Sequence, residues 1–321
     1  MKMHDSKILT FYRPEMAQFA ISMSKSPSKP RLLMEFLEKQ GLSMYFEMNP
    51  VFEPFKREDF LLAHTEKYVD AFMEGVEPLC SANDISWTPE FRDSVTYTNS
   101  SFYHALRHAC LNPRTITFSP TSGFHHAWPE AGKGFCTFSG QVIASTKIFR
   151  ELGMPGCYID LDGHFGNSIE DSRYFVPDLH KSIPVGFNVN PAGSSAIYMF
   201  NLKQSLIKVE EALVSGKVQY VVFAHGADSH VKDDFDFYCK LSTDQWLECA
   251  DLVVGCVKSA EKRLGKPVPM MLALFGGYRK DNYDAVLTLH SQSLSKVIKN
   301  MCEPEDTSAL DRMLDIKIDD N

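Results

Sequence analysis

Four short, nearly continuous apolar runs constrain the fold of this chain more than any other feature of its sequence. Short runs of β-branched or apolar residues are typical of strands. Apolar residues at successive positions, rather than at alternate ones, indicate strands that are covered on both faces. The predicted strands are Thr115 to Phe118, Gly156 to Asp162, Val218 to Ala224 and Val268 to Leu274.

Longer stretches with apolar residues near 3.6 spacing lie between and after these runs, which indicates amphipathic helices. The predicted helices are Ser139 to Leu152, Met199 to Ser215, Ser242 to Leu264 and Asp281 to Asn300. Strands that alternate with helices build βαβ units and a mainly parallel sheet. The sequence therefore predicts an α/β fold with helices on both faces of a central sheet.

The two ends of the chain give weaker patterns. In the first hundred residues we predict helices near Arg31 to Gln40 and Glu58 to Gly75, followed by a polar loop over Ser81 to Ser100. The acidic tail, Glu303 to Asn321, has few large apolar residues, so we expect it to pack loosely or fray.

Composition indicates a globular protein, with 321 residues of which 44% are hydrophobic and 23% charged. No Gly/Ser-rich or Pro-rich linker divides the sequence, so we expect one domain over residues 1–321, with the motifs between about 60 and 300. The eight cysteines are scattered without a C-x-x-C pair, which favours buried free thiols over a disulfide framework or a thiolate zinc site.

Charge and hydropathy narrow the partners that we expect. A net charge of −8 argues against broad binding to nucleic acid or to an anionic membrane, since both need a basic face. The sequence has no run of about 18 apolar residues to span a bilayer, and its first residues lack the apolar core of a signal peptide. We therefore expect an intracellular protein, in the cytoplasm or the nucleus.

Reactive side chains follow each of the four predicted strands. In open α/β sheets, ligands bind at the carboxyl ends of the strands. The relevant segments are 119–127 (SPTSGFHHA), 158–167 (YIDLDGHFGN), 223–229 (FAHGADS) and 274–278 (LFGGY). Packing alone gives no reason for independent strands to deliver such residues to one edge, so these segments predict a functional site.

Asp162 and His164 are two residues apart, so both point to the same side of an extended segment and can share a cation. Asp228 is the candidate third ligand. Three protein ligands leave a coordination position open, which is typical of catalytic zinc rather than structural zinc. Alone, an Asp-x-His triplet after a strand could be a turn or a helix cap, but the other strand ends favour the metal site.

His125 and His126 are a weak signal by themselves, since adjacent histidines in a loop are usually surface residues. Hydrolysis of an amide needs one group that accepts a proton from water and another that donates a proton to the leaving amine, and imidazole suits both tasks. Asp160 could orient one of the two rings, and Asn167 the other.

The turn Gly276, Gly277, Tyr278 lets the backbone pass close to a metal. It also places a phenol where it could donate to a developing oxyanion. The alternative interpretation is that Tyr278 is a buried structural residue.

Together these segments resemble the zinc-dependent histone deacetylase family, which includes acetylpolyamine amidohydrolases and bacterial acetoin-utilisation-type members. The motifs that carry the resemblance, in the family's order, are GFHHA at 123–127 with GFC at 134–136, YIDLDGH at 158–164, GADS at 226–229 and GGY at 276–278. An early segment, AHTEKY at 63–68, is similar to the family's H-x-x-x-Y helix. The resemblance extends over nearly the whole chain, to about Ile298.

The resemblance implies an arginase/deacetylase fold and a role for each motif. The implied zinc ligands are Asp162, His164 and Asp228, the acid/base pair is His125 and His126, oriented by Asp160 and Asn167, and Tyr278 polarises the acyl carbonyl. Phe135, with Gly134, Gly276 and Gly277, would line a narrow acyl-lysine channel whose opposite wall is Phe187. A monovalent cation such as K⁺ would bind Asp160 and the backbone carbonyls of Asp162, His164, Asp178 and Leu179.

The sequence departs from the family pattern at three positions. Phe165 and Asn167-Ser168 stand where many members have H-H-G-D-G or H-H-G-N-G. An amide would therefore partner His126 and should lower its pKa relative to an Asp-paired imidazole. Phe275 replaces a glycine before Tyr278. Since Phe165 also interrupts the pattern that two-metal relatives of this fold use, we expect one zinc.

We therefore predict a zinc amidohydrolase that removes acetyl or other acyl groups, most often from the side-chain amine of a protein lysine. The alternatives are a deacetylase of polyamines or other small acylated amines, and a catalytically silent scaffold that binds acyl-lysine. A silent member should lack a metal ligand, a histidine or the tyrosine, and this sequence has them all. The oligomeric state is not predicted.

Overall fold

A single sheet of parallel strands organises the computed structural model, which describes residues 2–235 and 238–319. The sheet has seven strands in the order β2-β1-β3-β7-β6-β4-β5, and every neighbouring pair is parallel. The strands are β1 Ile8–Thr10, β2 Phe46–Met48, β3 Thr117–Phe118, β4 Gly156–Asp160, β5 Asn188–Val189, β6 Tyr220–Ala224 and β7 Met270–Ala273. The predicted α/β class is confirmed.

Helices connect these strands and cover both faces of the sheet. They are α1 Lys29–Lys39, α2 Arg57–Phe60, α3 Glu66–Glu74, α4 Pro89–Leu111, α5 Gly140–Leu152, α6 Ser168–Asp171, α7 Leu179–Ser182, α8 Ser195–Val214, α9 Thr243–Leu264, α10 Tyr283–Val297 and α11 Ser308–Asp315. Within the described ranges, none of these helices has the length and apolarity needed to cross a membrane.

Local sequence explains where the longer helices begin and end. Helix α9 begins with a capping box, in which the Ser242 hydroxyl accepts from the Gln245 amide and the Gln245 side chain accepts from the Ser242 amide. It ends at Gly265, whose φ of 67° is the left-handed conformation that glycine adopts without penalty. The chain therefore sets both limits of this helix without tertiary contacts.

The central strands send alternate side chains into two separate cores. In β6, Val221 and Phe223 face one core and Val222 faces the other. Helices α1 and α8–α11 close the first core, and α2–α7 close the second. Burial on both faces explains the continuous apolar runs, as the sequence predicts.

The register of the strands brings their carboxyl ends to one edge. Asp160 of β4 lies opposite Ala224 of β6, and Ala224 lies opposite Ala273 of β7. The segments that follow β4, β6 and β7 therefore leave the sheet at the same level. The side chains of Asp162, Asp228 and Tyr278 follow on these segments.

One prediction for the first hundred residues is wrong. We expected a polar loop over Ser81 to Ser100, but the second half of this segment belongs to helix α4, which begins at Pro89. The side chain of Thr88 caps this helix by accepting from the Phe91 amide. The buried face of α4 carries polar residues that hydropathy does not detect. Ser101, for example, is fully buried, and its hydroxyl donates to the Phe11 carbonyl at 2.5 Å.

The prediction for the acidic tail is also wrong in its described part, up to residue 319. Helix α11 buries Leu310 and Met313 against α10. The Gln292 side chain on α10 donates to the Met313 carbonyl at 3.0 Å and to the Ile316 carbonyl at 2.8 Å. A short apolar face and one buried amide thus hold a segment whose overall composition is polar.

We expect Leu310→Ala to destabilise the protein, because Leu310 is fully buried and its removal leaves a cavity between α10 and α11. Substitutions of this kind cost about 2–5 kcal/mol. Chemical denaturation measures the loss, with Asp315→Ala on the exposed face of α11 as the control. Equal stability of the two variants would show that α11 does not pack as described.

Candidate active site

Three metal-ligating side chains meet at the carboxyl edge of the sheet. Asp162 and His164 follow β4, and Asp228 lies on a single helical turn, Ala227–Ser229, after β6. His164 Nδ1 lies 3.1 Å from Asp162 Oδ1 and 2.9 Å from Asp228 Oδ2. One potential ligand atom from each residue lies within 4.8 Å of the others, so the group could hold a metal ion.

Backbone amides hold the two carboxylates in place. Gly276 donates its amide to Asp162 Oδ2 at 2.8 Å, and Gly163 donates to Asp228 Oδ1 at 3.0 Å. A Cβ atom on Gly276 would lie 2.2 Å from Asp228 Oδ2. Glycine is required at 276 because any side chain would enter the carboxylate pair.

Electrostatics of the group favour a bound cation. The carboxylates of Asp162 and Asp228 are buried side by side, and such charges repel each other unless a cation compensates them. Burial and the charge of Asp162 raise the pKa of Asp228, while hydrogen bonds with both carboxylates raise the pKa of His164 to about 11. A divalent cation would satisfy all three donors, so the residues fit a metal.

The two adjacent histidines lie next to this group with different partners. His125 donates from Nδ1 to Asp160 Oδ2 at 2.9 Å, and His126 donates from Nδ1 to Asn167 Oδ1 at 2.9 Å. The two rings lie 4.1 Å apart between centroids. With Nδ1 carrying the proton, a neutral ring has its lone pair on Nε2.

The environments of the two rings move their pKa values apart. Burial alone would lower the pKa of His125, but the carboxylates of Asp162 and Asp160 raise it to about 9. Burial, followed by repulsion from His125, lowers the pKa of His126 to about 3. Pairs of titratable groups separated in this way are typical of acid/base sites.

Tyr278 lies among aromatic residues, within electrostatic influence of Asp162 and Asp228. Burial and the carboxylates of Asp162 and Asp228 raise its pKa, so the phenol keeps its proton at neutral pH. Its ring lies 5.5 Å from that of Phe135 and 5.0 Å from that of Phe235, between centroids. The phenol is thus a proton donor close to the metal-binding carboxylates.

Gly134 and Phe135 form the turn that faces the histidines. Both residues have left-handed φ values, 52° and 62°. A Cβ atom on Gly134 would lie 3.0 Å from the His126 ring. This turn therefore places the Phe135 ring beside the ring of Tyr278.

The structure corrects the prediction that Phe187 forms the opposite wall of a channel. Phe187 is buried in the core, and Lys217 Nζ lies 4.9 Å from its ring centroid. Its carbonyl accepts from the amide of Tyr158 in the middle of β4, so it precedes the carboxyl edge. Phe187 directly precedes β5, whose first residue, Asn188, pairs with Tyr158. The ring of Phe135 instead faces the rings of Tyr278, at 5.5 Å, and Phe235, at 6.3 Å between centroids.

Asp178 and Leu179, whose carbonyls the resemblance implies as ligands of a monovalent cation with Asp160, make other contacts in the structure, and that role stays a prediction. Their carbonyls accept from amides of α7, and the Asp178 carboxylate pairs with Arg150 at 3.0 Å. Asn190 also lies near Asp160, since a Cβ on Gly166 would lie 2.4 Å from Asp160 Oδ2 and 3.0 Å from Asn190 Oδ1.

Sequence reasoning missed four residues around the site: Lys29, Asn190, Asp233 and Phe235. Lys29 is buried, burial lowers its pKa to about 8, and its Nζ donates to the Phe275 carbonyl. No motif marks these residues. The one available signal was the Asp233-Asp234 pair, which follows the third predicted strand closely.

Comparison with known proteins agrees with this geometry. The family model described as "Histone deacetylase domain" matches residues 23–183, half of the chain. A crystal structure of an HDAC homolog complexed with SAHA superimposes with a TM-score of 0.65 and 17% identity, and the match covers 98% of this chain and 88% of that one. The structural likeness shows an arginase/deacetylase fold, and the family match shows that the chain belongs to the histone deacetylase family.

The curated relatives have low sequence identity to this chain, and each match covers only part of the relative's length. Histone deacetylase 8 of Danio rerio is 23% identical over 202 residues, 57% of this chain and 52% of the relative. Histone deacetylase 2 of Oryza sativa subsp. japonica is 26% identical over 186 residues, 52% of this chain and 36% of the relative. Histone deacetylase 2 of Arabidopsis thaliana is 23% identical over 297 residues, 83% of this chain and 73% of the relative. The chain therefore matches about half or less of the first two relatives.

We expect Gly276→Ala to weaken metal binding at least tenfold, since the new Cβ would lie 2.2 Å from Asp228 Oδ2 and displace a ligand. Disturbing a residue that holds a metal ligand in place typically costs about 10–100-fold in metal affinity. Equilibrium titration of metal-stripped protein with Zn²⁺ measures the change. Gly255→Ala, where the Cβ meets nothing within 4 Å, is the control. Unchanged affinity in Gly276→Ala would contradict the geometry described above.

Proposed function

We propose that this protein is a zinc-dependent deacetylase that hydrolyses the amide of an N-acetylated or otherwise N-acylated lysine side chain. One observation carries the proposal: Asp162, His164 and Asp228 converge beside an unequal histidine pair and the phenol of Tyr278. This set would supply a metal site, a base, an acid and an oxyanion donor, which are the groups that hydrolysis of an amide needs.

Zinc fits the donor set, since two carboxylates and one imidazole are typical of a catalytic site with an open position. When bound, Zn²⁺ would polarise the acyl carbonyl and lower the pKa of the attacking water. Asp162, His164 and Asp228 would hold it.

His126 is suited to accept the proton of the attacking water. Its low pKa keeps the ring neutral, and the contact with Asn167 leaves the lone pair on Nε2. His125 is suited to the opposite task, because the Asp160 and Asp162 carboxylates favour its protonated form. The two rings thus divide proton acceptance and proton donation between them.

Tyr278 is suited to donate to the carbonyl oxygen as negative charge develops there. A phenol with a raised pKa keeps its proton and can donate it in a hydrogen bond throughout the reaction. Such a donor is preorganised and stabilises the transition state more than the ground state.

The substrate entrance favours a slender acyl-amine chain. Phe135, Phe235 and Tyr278 form an aromatic cluster with centroid separations of 5.0–6.3 Å. Aliphatic chains such as the lysine side chain pack well against such rings. Acetylated polyamines have the same slender form and are the principal alternative substrate.

Activity assays test the proposal directly. Purified protein should hydrolyse at least one member of a panel of acetyl-, longer-acyl- and trifluoroacetyl-lysine peptides, assayed beside acetylated polyamines. The matched control is Asp228→Ala, which lacks a metal ligand. If the protein hydrolyses acetylated polyamines in preference to the peptides, the proposed substrate changes from acyl-lysine to acetylated polyamines. Absence of hydrolysis by the zinc-loaded protein with every compound would contradict deacetylase activity and favour a silent acyl-lysine binder.

Tyr278→Phe should lower kcat about 10²- to 10³-fold, because loss of one oxyanion donor has an effect of this size. KM should change little, since the ring remains in the aromatic cluster. Steady-state kinetics with zinc content checked in each sample measure both constants. A kcat close to that of the wild type would remove Tyr278 from the mechanism.

Asn167→Asp should move the acidic limb of the kcat/KM profile to higher pH by about 1 unit. The added carboxylate favours imidazolium at His126, which raises the pKa of the ring, and a base must be neutral to act. Because Asn167 donates to Asp171 at 2.6 Å, the control is Asp171→Asn, which changes a nearby charge without touching the ring. An unshifted limb in Asn167→Asp would show that His126 is not the base.

A further inference from the structure

One buried carboxylate outside the proposed catalytic set contacts the backbone of Tyr278. Asp233 is 9% exposed, and its Oδ2 accepts from the Tyr278 amide at 2.6 Å. The Asp233 amide donates to the His230 carbonyl at 2.9 Å, which ties this residue to the segment after Asp228. Asp233 thus joins the turn that carries a metal-ligating residue to the loop that carries the phenol.

The second oxygen of the same carboxylate holds the aromatic wall. Asp233 Oδ1 accepts from the Phe235 amide at 3.0 Å. The ring of Phe235 meets the ring of Tyr278 at 64° and the ring of Phe135 at 87°, both edge-to-face arrangements that are favourable for aromatic pairs. The Asp233 side chain therefore holds the backbone amides of both Tyr278 and Phe235, whose rings pack against each other.

The loop before Tyr278 depends on contacts of this kind. It has left the sheet after Ala273, and Phe275 and Gly277 have φ values of 105° and 141°, far from strand or helix geometry. Gly276 donates to Asp162, and the Phe275 carbonyl accepts from Lys29. These contacts act before Tyr278, whereas Asp233 binds the amide of Tyr278 itself.

We propose that Asp233 is a positioning residue for catalysis, whose carboxylate aligns the Tyr278 phenol with the acyl carbonyl and holds Phe235 against the substrate chain. The inference rests on the proposed function, because the Tyr278 phenol needs this alignment only if it acts in amide hydrolysis. Asparagine cannot replace aspartate here. It has one acceptor oxygen and presents an amide donor to one of the two backbone N–H groups.

A double-mutant cycle tests the role in activity. With Tyr278 present, Asp233→Asn should lower kcat about tenfold or more, the effect expected when a hydrogen bond to a charged group is lost. In a Tyr278→Phe background the same substitution should lower kcat less than about twofold, because the phenol that Asp233 aligns is gone. Equal loss in both backgrounds would indicate general disruption and overturn the inference, as would a near-normal kcat in Asp233→Asn.

Asp234→Asn is the matched control. Asp234 is exposed and also accepts a backbone amide, from Lys280 at 2.8 Å, but that contact lies beyond Tyr278. The kcat of Asp234→Asn should stay within about twofold of the wild type if the contact of Asp233 with Tyr278 is what matters, and not the loss of a carboxylate in this segment. Zinc content is measured in every variant, so that loss of metal is separated from loss of alignment.

Amide hydrogen exchange of Tyr278 tests the contact without activity. Exchange should be slow in the wild type and in Asp234→Asn, and at least tenfold faster in Asp233→Ala, which has no side-chain acceptor for the amide. Unchanged exchange in Asp233→Ala would overturn the inference. A wild type that fails to hydrolyse every substrate would contradict the proposed function instead, while the exchange result still decides whether Asp233 holds Tyr278.

Discussion

Repulsion between two buried carboxylates is the constraint on which the rest of this structure depends. Asp162 and Asp228 lie together at 3% and 0% exposure, where unpaired negative charge is costly. The protein supports them with the backbone amides of Gly163 and Gly276 and with the imidazole of His164. A cation among these ligands would compensate both charges, so the residues fit a metal ion.

The same constraint explains the unusual backbone around the site. Glycine stands where a side chain would meet a carboxylate, and a Cβ on Gly226 would lie 2.5 Å from Asp228 Oδ1. Phe275 adopts a φ of 105°, a conformation that costs of order 1–3 kcal/mol for a residue with a side chain. Two packed cores, one on each face of the sheet, hold this strained edge in place, so strain is concentrated where the chemistry is proposed to occur.

Sequence reasoning identified the features that depend on local pattern. Continuous apolar runs predicted the central strands, and ordered motifs predicted the family. Features that depend on long-range contacts were not predictable. Phe187 was predicted as a channel wall, but it lies in the core because it directly precedes β5, which pairs with the middle of β4. Asp233 and Lys29 act through backbone groups of another segment, so no motif of their own marks them. The buried face of α4 includes the polar residues Ser94 and 99–101 among its apolar ones, which hid the start of a long helix from hydropathy.

Return of zinc to metal-stripped protein is the most direct test of the account. Zinc content and hydrolysis of an acyl-lysine peptide are measured on the same samples as Zn²⁺ is added. The account predicts that activity rises in proportion to bound zinc and reaches a plateau at about one ion per chain, because three ligands form one catalytic site. Full activity in metal-free protein, or a plateau only at about two ions per chain, would contradict it.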